Sequence, residues 1–177
     1  MQFNYILPIG QIDTHLQKFI GENLRMVFNI PYRLLDSIDT PLKSFSQKRG
    51  QCNAEIILRE IGMLSFENIN KIISIIDKDI YSQDYSYIFG EAEAPGKISI
   101  ISTKRLNPEF YGQKYNRDVF YDRVLKEVLH EIGHNYNLSH CPDRNCTMFF
   151  SNTLADTDYK KTSYCEKCMR LLEIYNS

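Results

Sequence analysis

The chain has 177 residues, 43% of them hydrophobic and 24% charged, with a formal net charge of −1. That length suits one domain, spanning 1–177, around one sizeable core. The near-neutral charge gives no electrostatic reason to expect nucleic acid or an acidic membrane as partner, and no segment reaches the roughly 18 apolar residues of a membrane span.

The opening "MQFNYILPIG" has no basic leader, and its apolar run is too short for a signal peptide. A soluble, cytoplasmic, monomeric protein is therefore expected. "NYILPIG" (4–10) reads as a buried strand closed by Pro8 and Gly10. A helix is predicted over 11–26, with Ile12, Leu16, Phe19, Ile20 and Leu24 at helical spacing. "MVFNIPYRLL" (26–35) reads as a second strand, which Pro31 confines to an edge or an early end. After an irregular stretch over 36–50, a second helix is predicted at about 53–63 and a further helical turn from Phe66 to Ile75. "DKDIYS" (77–82) is a short strand, and 86–103 reads as two strands joined by a turn at Pro95-Gly96. Residues 107–116 are loop, and from Arg117 to Tyr136 the pattern is strongly helical. The order is α/β in the first hundred residues, then a helix and a cysteine-bearing tail.

The chemistry concentrates in "HEIGHNYNLSHC", 130–141. His130 and His134 stand one turn apart, so both imidazoles leave the same helix face. Glu131 can reach a metal-bound water without ligating the metal. A catalytic zinc takes three protein ligands and keeps one open position. His140 can be the third ligand only if the helix stops first, because a continuing helix would turn it roughly 120° away from His134. Asn137 is placed to make that stop, since asparagine tolerates the left-handed conformation next best after glycine. A bare HExxH string also occurs in proteins that bind no metal; the third histidine at this distance favours a zinc site over a histidine-rich helix end.

Of five cysteines, Cys52 stands alone while Cys141, Cys146, Cys165 and Cys168 form C-x4-C and C-x2-C pairs. In a reducing compartment such pairs point to metal ligation rather than to disulfides. Four thiolates close a tetrahedral zinc and leave no opening for water, so this second zinc would be structural and would staple the tail to the end of the helix. Two unrelated buried cysteine pairs are the plainer alternative.

"HEIGHNYNLSHCPDRNCTM" followed by "CEKC" resembles the archaemetzincins, and "KRGQCNA" (48–54), "FGEAEAPGKISIIST" (89–103) and "FSNTLADTD" (150–158) extend the likeness over most of the chain. The resemblance implies a compact metzincin-like α/β (α+β) fold: a twisted mixed sheet, a backing helix and an active-site helix. It also implies that Met148 is the Met-turn methionine lying beneath the metal. Asn137 departs from that family's glycine.

The expected function is zinc-dependent hydrolysis of peptides or unfolded polypeptides, with two zinc ions per chain and Glu131 as general base. "KISIIS" (97–102) could be an edge strand onto which a peptide adds or simply an interior strand, with neither favoured, and Tyr164 and "KRG" (48–50) could line the cleft, although a solvated surface is more usual. A zinc-stabilised module that grips peptides without cutting them is the main rival, although such a module has no need of Glu131. A nucleic-acid zinc ribbon is a weaker one, given the neutral charge.

Overall fold

The computed structural model describes residues 1–176. The chain begins with β1 (Phe3–Ile9), α1 (Thr14–Phe28) and β2 (Tyr32–Leu34), and continues through the short strands β3 (Phe45–Ser46) and β4 (Gln51–Asn53) into α2 (Ala54–Gly62). It then forms β5 (Ile69–Ile76), β6 (Ile80–Tyr81), β7 (Gly90–Ala92) and β8 (Ile98–Ser102), followed by the long α3 (Arg117–Asn135), α4 (Leu154–Tyr159) and α5 (Glu166–Asn176).

The main sheet runs β2-β1-β5-β8-β7, with β3, β4 and β6 forming a small second sheet. The first four strands of that order are mutually parallel, and β7 closes the sheet antiparallel to β8. The period-2 alternation divides the core in two. Ile6, Ile73, Ile75 and Ile101 face α1 and α3, while Leu7, Ile72, Ile76 and Ile100 face α2. This mixed α/β architecture is the one the sequence leads one to expect.

Two local readings are overturned and an open one is decided. Residues 66–75 do not form a helical turn; "INKIISII" is the central strand β5, buried along nearly its whole length. A strand covered on both faces carries no alternation, so an unbroken apolar run does not distinguish it from a buried helix. The strand predicted over 26–35 shrinks to Tyr32–Leu34, because α1 continues to Phe28 and ends only where Asn29 turns left-handed at φ 53°. Met26 and Val27 are exposed on that last turn, while Phe28 stacks on Tyr136 with ring centroids 5.7 Å apart. "KISIIS" is the interior alternative, not an edge: β8 lies between β5 and β7, and β7 is the edge strand on that side.

Candidate active site

Helix α3 starts where the Asn116 side chain accepts the amides of Asp118 and Val119, satisfying two otherwise unpaired donors. It runs against β7, β8 and α1, carrying Glu127, His130, Glu131 and His134 on adjacent turns of one face. Its end is a Schellman turn. The Leu138 amide donates to the Gly133 carbonyl at 2.9 Å, and that of Asn137, at φ 63°, donates to His134 at 2.8 Å. The left-handed residue is thus an asparagine, and the chain doubles back there to bring in His140.

The ligand atoms of His130, His134 and His140 lie within 4.8 Å of one another. His130 Nδ1 lies 2.8 Å from the Thr147 carbonyl and His134 Nδ1 2.8 Å from the Leu138 carbonyl. A carbonyl can only accept, so both Nδ1 atoms carry the proton and both Nε2 atoms present lone pairs. Those two lone-pair atoms face each other at 3.1 Å. Two acceptors at that distance need a cation between them, and Zn–N bonds of about 2.0–2.1 Å in tetrahedral array put nitrogens about 3.3 Å apart. The donor set fits zinc. Burial first, and for His140 the neighbouring His134 next, hold all three imidazoles below the usual histidine range, which keeps them neutral.

Glu131 is 5% exposed and faces β7. A Cβ at Gly90 would stand 2.8 Å from its Cγ and Oε1, so glycine makes room for this carboxylate. Burial, then the charge of Glu127, push the Glu131 carboxyl well above the usual range, while Lys160 pulls it down. Beneath the helix, Met148 is fully buried, and a Cβ at Gly133 would lie 2.3 Å from its Sδ. Methionine and glycine are therefore fitted to each other on the helix turn between the two histidines.

The four clustered cysteines also converge, with Sγ atoms within 4.8 Å of one another and Cys141 and Cys165 at 3.7 Å. A disulfide is about 2.05 Å long, whereas four sulfurs about 2.3 Å from a tetrahedral zinc stand about 3.8 Å apart. The amides of Met148 and Cys165 donate to Cys146 Sγ at 3.5 and 3.3 Å, as suits a thiolate. This donor set likewise fits zinc, with every position filled by sulfur.

A cleft of about 140 Å³ opens beside the histidines, lined by Tyr87, Gly90, Glu127, His130, Glu131 and Phe150 among others. A larger hollow of about 410 Å³, lined by Gln11, Asp13, Asp77 and Lys104, lies past the C-terminal ends of β1 and β5. It contains no histidine or cysteine, so the smaller cleft is the candidate site. Neither Tyr164 nor 48–50 lines it. Tyr164 is buried under α3 with its hydroxyl donating to the Leu129 carbonyl, and Arg49 lies over the Tyr81 ring. Gly90, Glu127 and Lys160 were not singled out from sequence. Glu127 was detectable as a second carboxylate one turn before Glu131; nothing in the sequence marks Lys160 as buried.

Residues 12–174 match the model of peptidase family M54. An archaemetzincin of Methanocaldococcus jannaschii is 39% identical over 168 residues, covering 95% of this chain and 91% of that protein. One from Pyrococcus furiosus is 34% identical over 176 residues, with coverage of 95% and 91%. Among solved structures, the archaemetzincin of Methanopyrus kandleri aligns with TM-score 0.86 at 27% identity, over 98% of this chain and 95% of that one. That of Archaeoglobus fulgidus gives 0.83 at 34% identity, over 96% and 99%.

Proposed function

The chain belongs to peptidase family M54, the archaemetzincins, and on that premise we propose that it is a zinc metallopeptidase in which Glu131 serves as general base and then as general acid. The observation that carries this reading is the pair of Nε2 lone pairs at 3.1 Å, with Glu131 on the same helix face. His130, His134 and His140 would hold the zinc, which would supply a Lewis acid to polarise the scissile carbonyl and acidify the attacking water. The Glu131 carboxylate takes the proton of that water and hands it to the departing amide nitrogen. The carbonyls of Thr147 and Leu138 hold His130 and His134 in the tautomer the reaction needs. The peptide lies along β7, the edge of the main sheet, which passes beside Glu131 at Gly90.

Cys141, Cys146, Cys165 and Cys168 would hold a second, purely structural zinc, making two per chain, and Met148 would be the Met-turn methionine of the catalytic site. The chain acts as a single domain over 1–177, monomeric and cytoplasmic, on peptides or unfolded polypeptides. Consistent with this, no helix among the described residues is long and apolar enough to cross a membrane. The test is digestion of a peptide library by wild type and by Glu131→Gln. The variant should keep its zinc and lose about 10²–10⁴-fold in rate. Wild-type cleavage rates in the variant would remove Glu131 from the mechanism. Zinc-dependent peptide binding without cleavage by the wild type would favour the non-catalytic binding module.

A further inference from the structure

Lys160, just after α4, is the bulkiest fully buried side chain among the described residues. Its Nζ lies 2.9 Å from Glu127 Oε1, with the two side chains 0% and 4% exposed. Despite that distance the ammonium makes no aligned hydrogen bond. Thr157 Oγ1 donates to the same carboxylate oxygen at 3.1 Å. A buried ion pair of this kind is a poor source of stability, since apolar residues of equal volume do as well or better. Its presence here calls for another reason.

That reason is visible on α3. Glu127, His130 and Glu131 line one cleft, so two carboxylates stand a turn apart beside the histidine group. An unpaired Glu127 would compete for the position a catalytic zinc must leave open. The Lys160 ammonium instead pairs with the Glu127 carboxylate at 2.9 Å inside the protein.

We propose that Lys160 is a positioning residue of the hydrolytic site: its buried ammonium holds Glu127 away from the metal and cancels its charge, leaving Glu131 as the one free carboxylate on the cleft floor. The proposal rests on the peptidase reading above. Lys160 touches neither substrate nor metal; it acts through Glu127.

The test compares wild type, Lys160→Met and the double variant Glu127→Gln/Lys160→Met. Two quantities are read: kcat and KM on a fluorogenic peptide, and the rate at which a chelator strips zinc from the histidine group. In Lys160→Met, kcat should fall about ten- to a hundredfold while KM stays within about twofold. Zinc should at the same time be held more tightly, because a freed carboxylate joins its ligands; a merely structural defect would loosen it. Both changes should revert in the double variant, where the remaining amide is neutral. Should Lys160→Met not fold, Lys160→Gln makes the same test with a neutral polar side chain in place of the ammonium. A single variant with wild-type kcat, a loss that Glu127→Gln does not revert, or faster zinc loss would each overturn the proposal. If the wild type itself cleaves nothing, the peptidase reading falls; cleavage by wild type and Lys160→Met alike overturns the role of Lys160 alone.

Discussion

The amide of Cys141 donates to the carbonyl of Met148 at 2.9 Å, and this bond ties the two donor groups together. Cys141 belongs to the sulfur quartet, its neighbour His140 to the histidine trio, and Met148 packs against Gly133 between His130 and His134. Whatever fixes Cys141 also fixes where His140 points and how Met148 sits.

Cys165→Ser should therefore cost more than one metal. With the quartet broken, the turn through His140 loses its anchor, and zinc at the histidines should drop below full occupancy. Metal analysis of the purified variant checks this. Full occupancy of the histidine group beside an empty sulfur group would show the two to be independent.

Gly133→Ala sets two effects against each other. Alanine favours a helix interior over glycine by roughly 0.5–1 kcal/mol. Here, however, the new methyl would stand 2.3 Å from Met148 Sδ inside a fully buried contact. Overpacking of that kind costs about 1–3 kcal/mol, so the variant should melt lower despite its better helix propensity. Gly90→Ala meets Glu131 in the same way at 2.8 Å; kcat should fall there with zinc retained.

At Asn137 the backbone decides. With φ at 63°, Asn137→Gly should be neutral to slightly stabilising, whereas Asn137→Ala should lose roughly 1–2 kcal/mol, the cost of the left-handed conformation for an ordinary residue. Denaturant unfolding of the two variants gives the comparison. Equal stability would mean that the turn relaxes to another conformation.

The turn at Asn137 also shows how far sequence alone reaches. Spacing decides the histidines, the cysteines and the need for a break between them, because metal geometry and helical periodicity leave few alternatives. Residues 66–75 read as helix in the sequence because β5, covered on both faces, shows no alternation to separate strand from helix. The end of α1 is hidden because "MVF" has strand character, while the left-handed Asn29 that stops the helix is visible only in the backbone. Lys160 lay beyond reach for a related reason. Its composition says surface, and only the pairing of α3 with the segment around α4 buries it.

Glu91, on β7, offers a test by pH. Burial, then the charges of Glu55 and Asp84, push its carboxyl up to about 7, and its Oε2 is buried without a hydrogen-bond partner. A carboxyl raised in the folded state holds its proton more tightly there than in the unfolded chain. Its contribution to stability is thus full below the ordinary value of 4.5 and is lost as pH rises through about 7. Glu91→Gln, which mimics the protonated form, should be near neutral at low pH and stabilising at pH near 8. The gain should be on the order of 1 kcal/mol once its partial exposure is allowed for. An equal effect at both pH values would contradict the assignment.

One short segment, 130–141, contributes ligand atoms to both donor groups, as two zinc ions of different chemistry would require. Zinc-edge anomalous diffraction from crystals of the metal-loaded protein tests it most directly. The account predicts two peaks per chain: one bounded by Nε2 of His130 and His134 with His140, the other by the four sulfurs of Cys141, Cys146, Cys165 and Cys168. A single peak, or a histidine-bound zinc whose open position is filled by a further protein side chain, would contradict it.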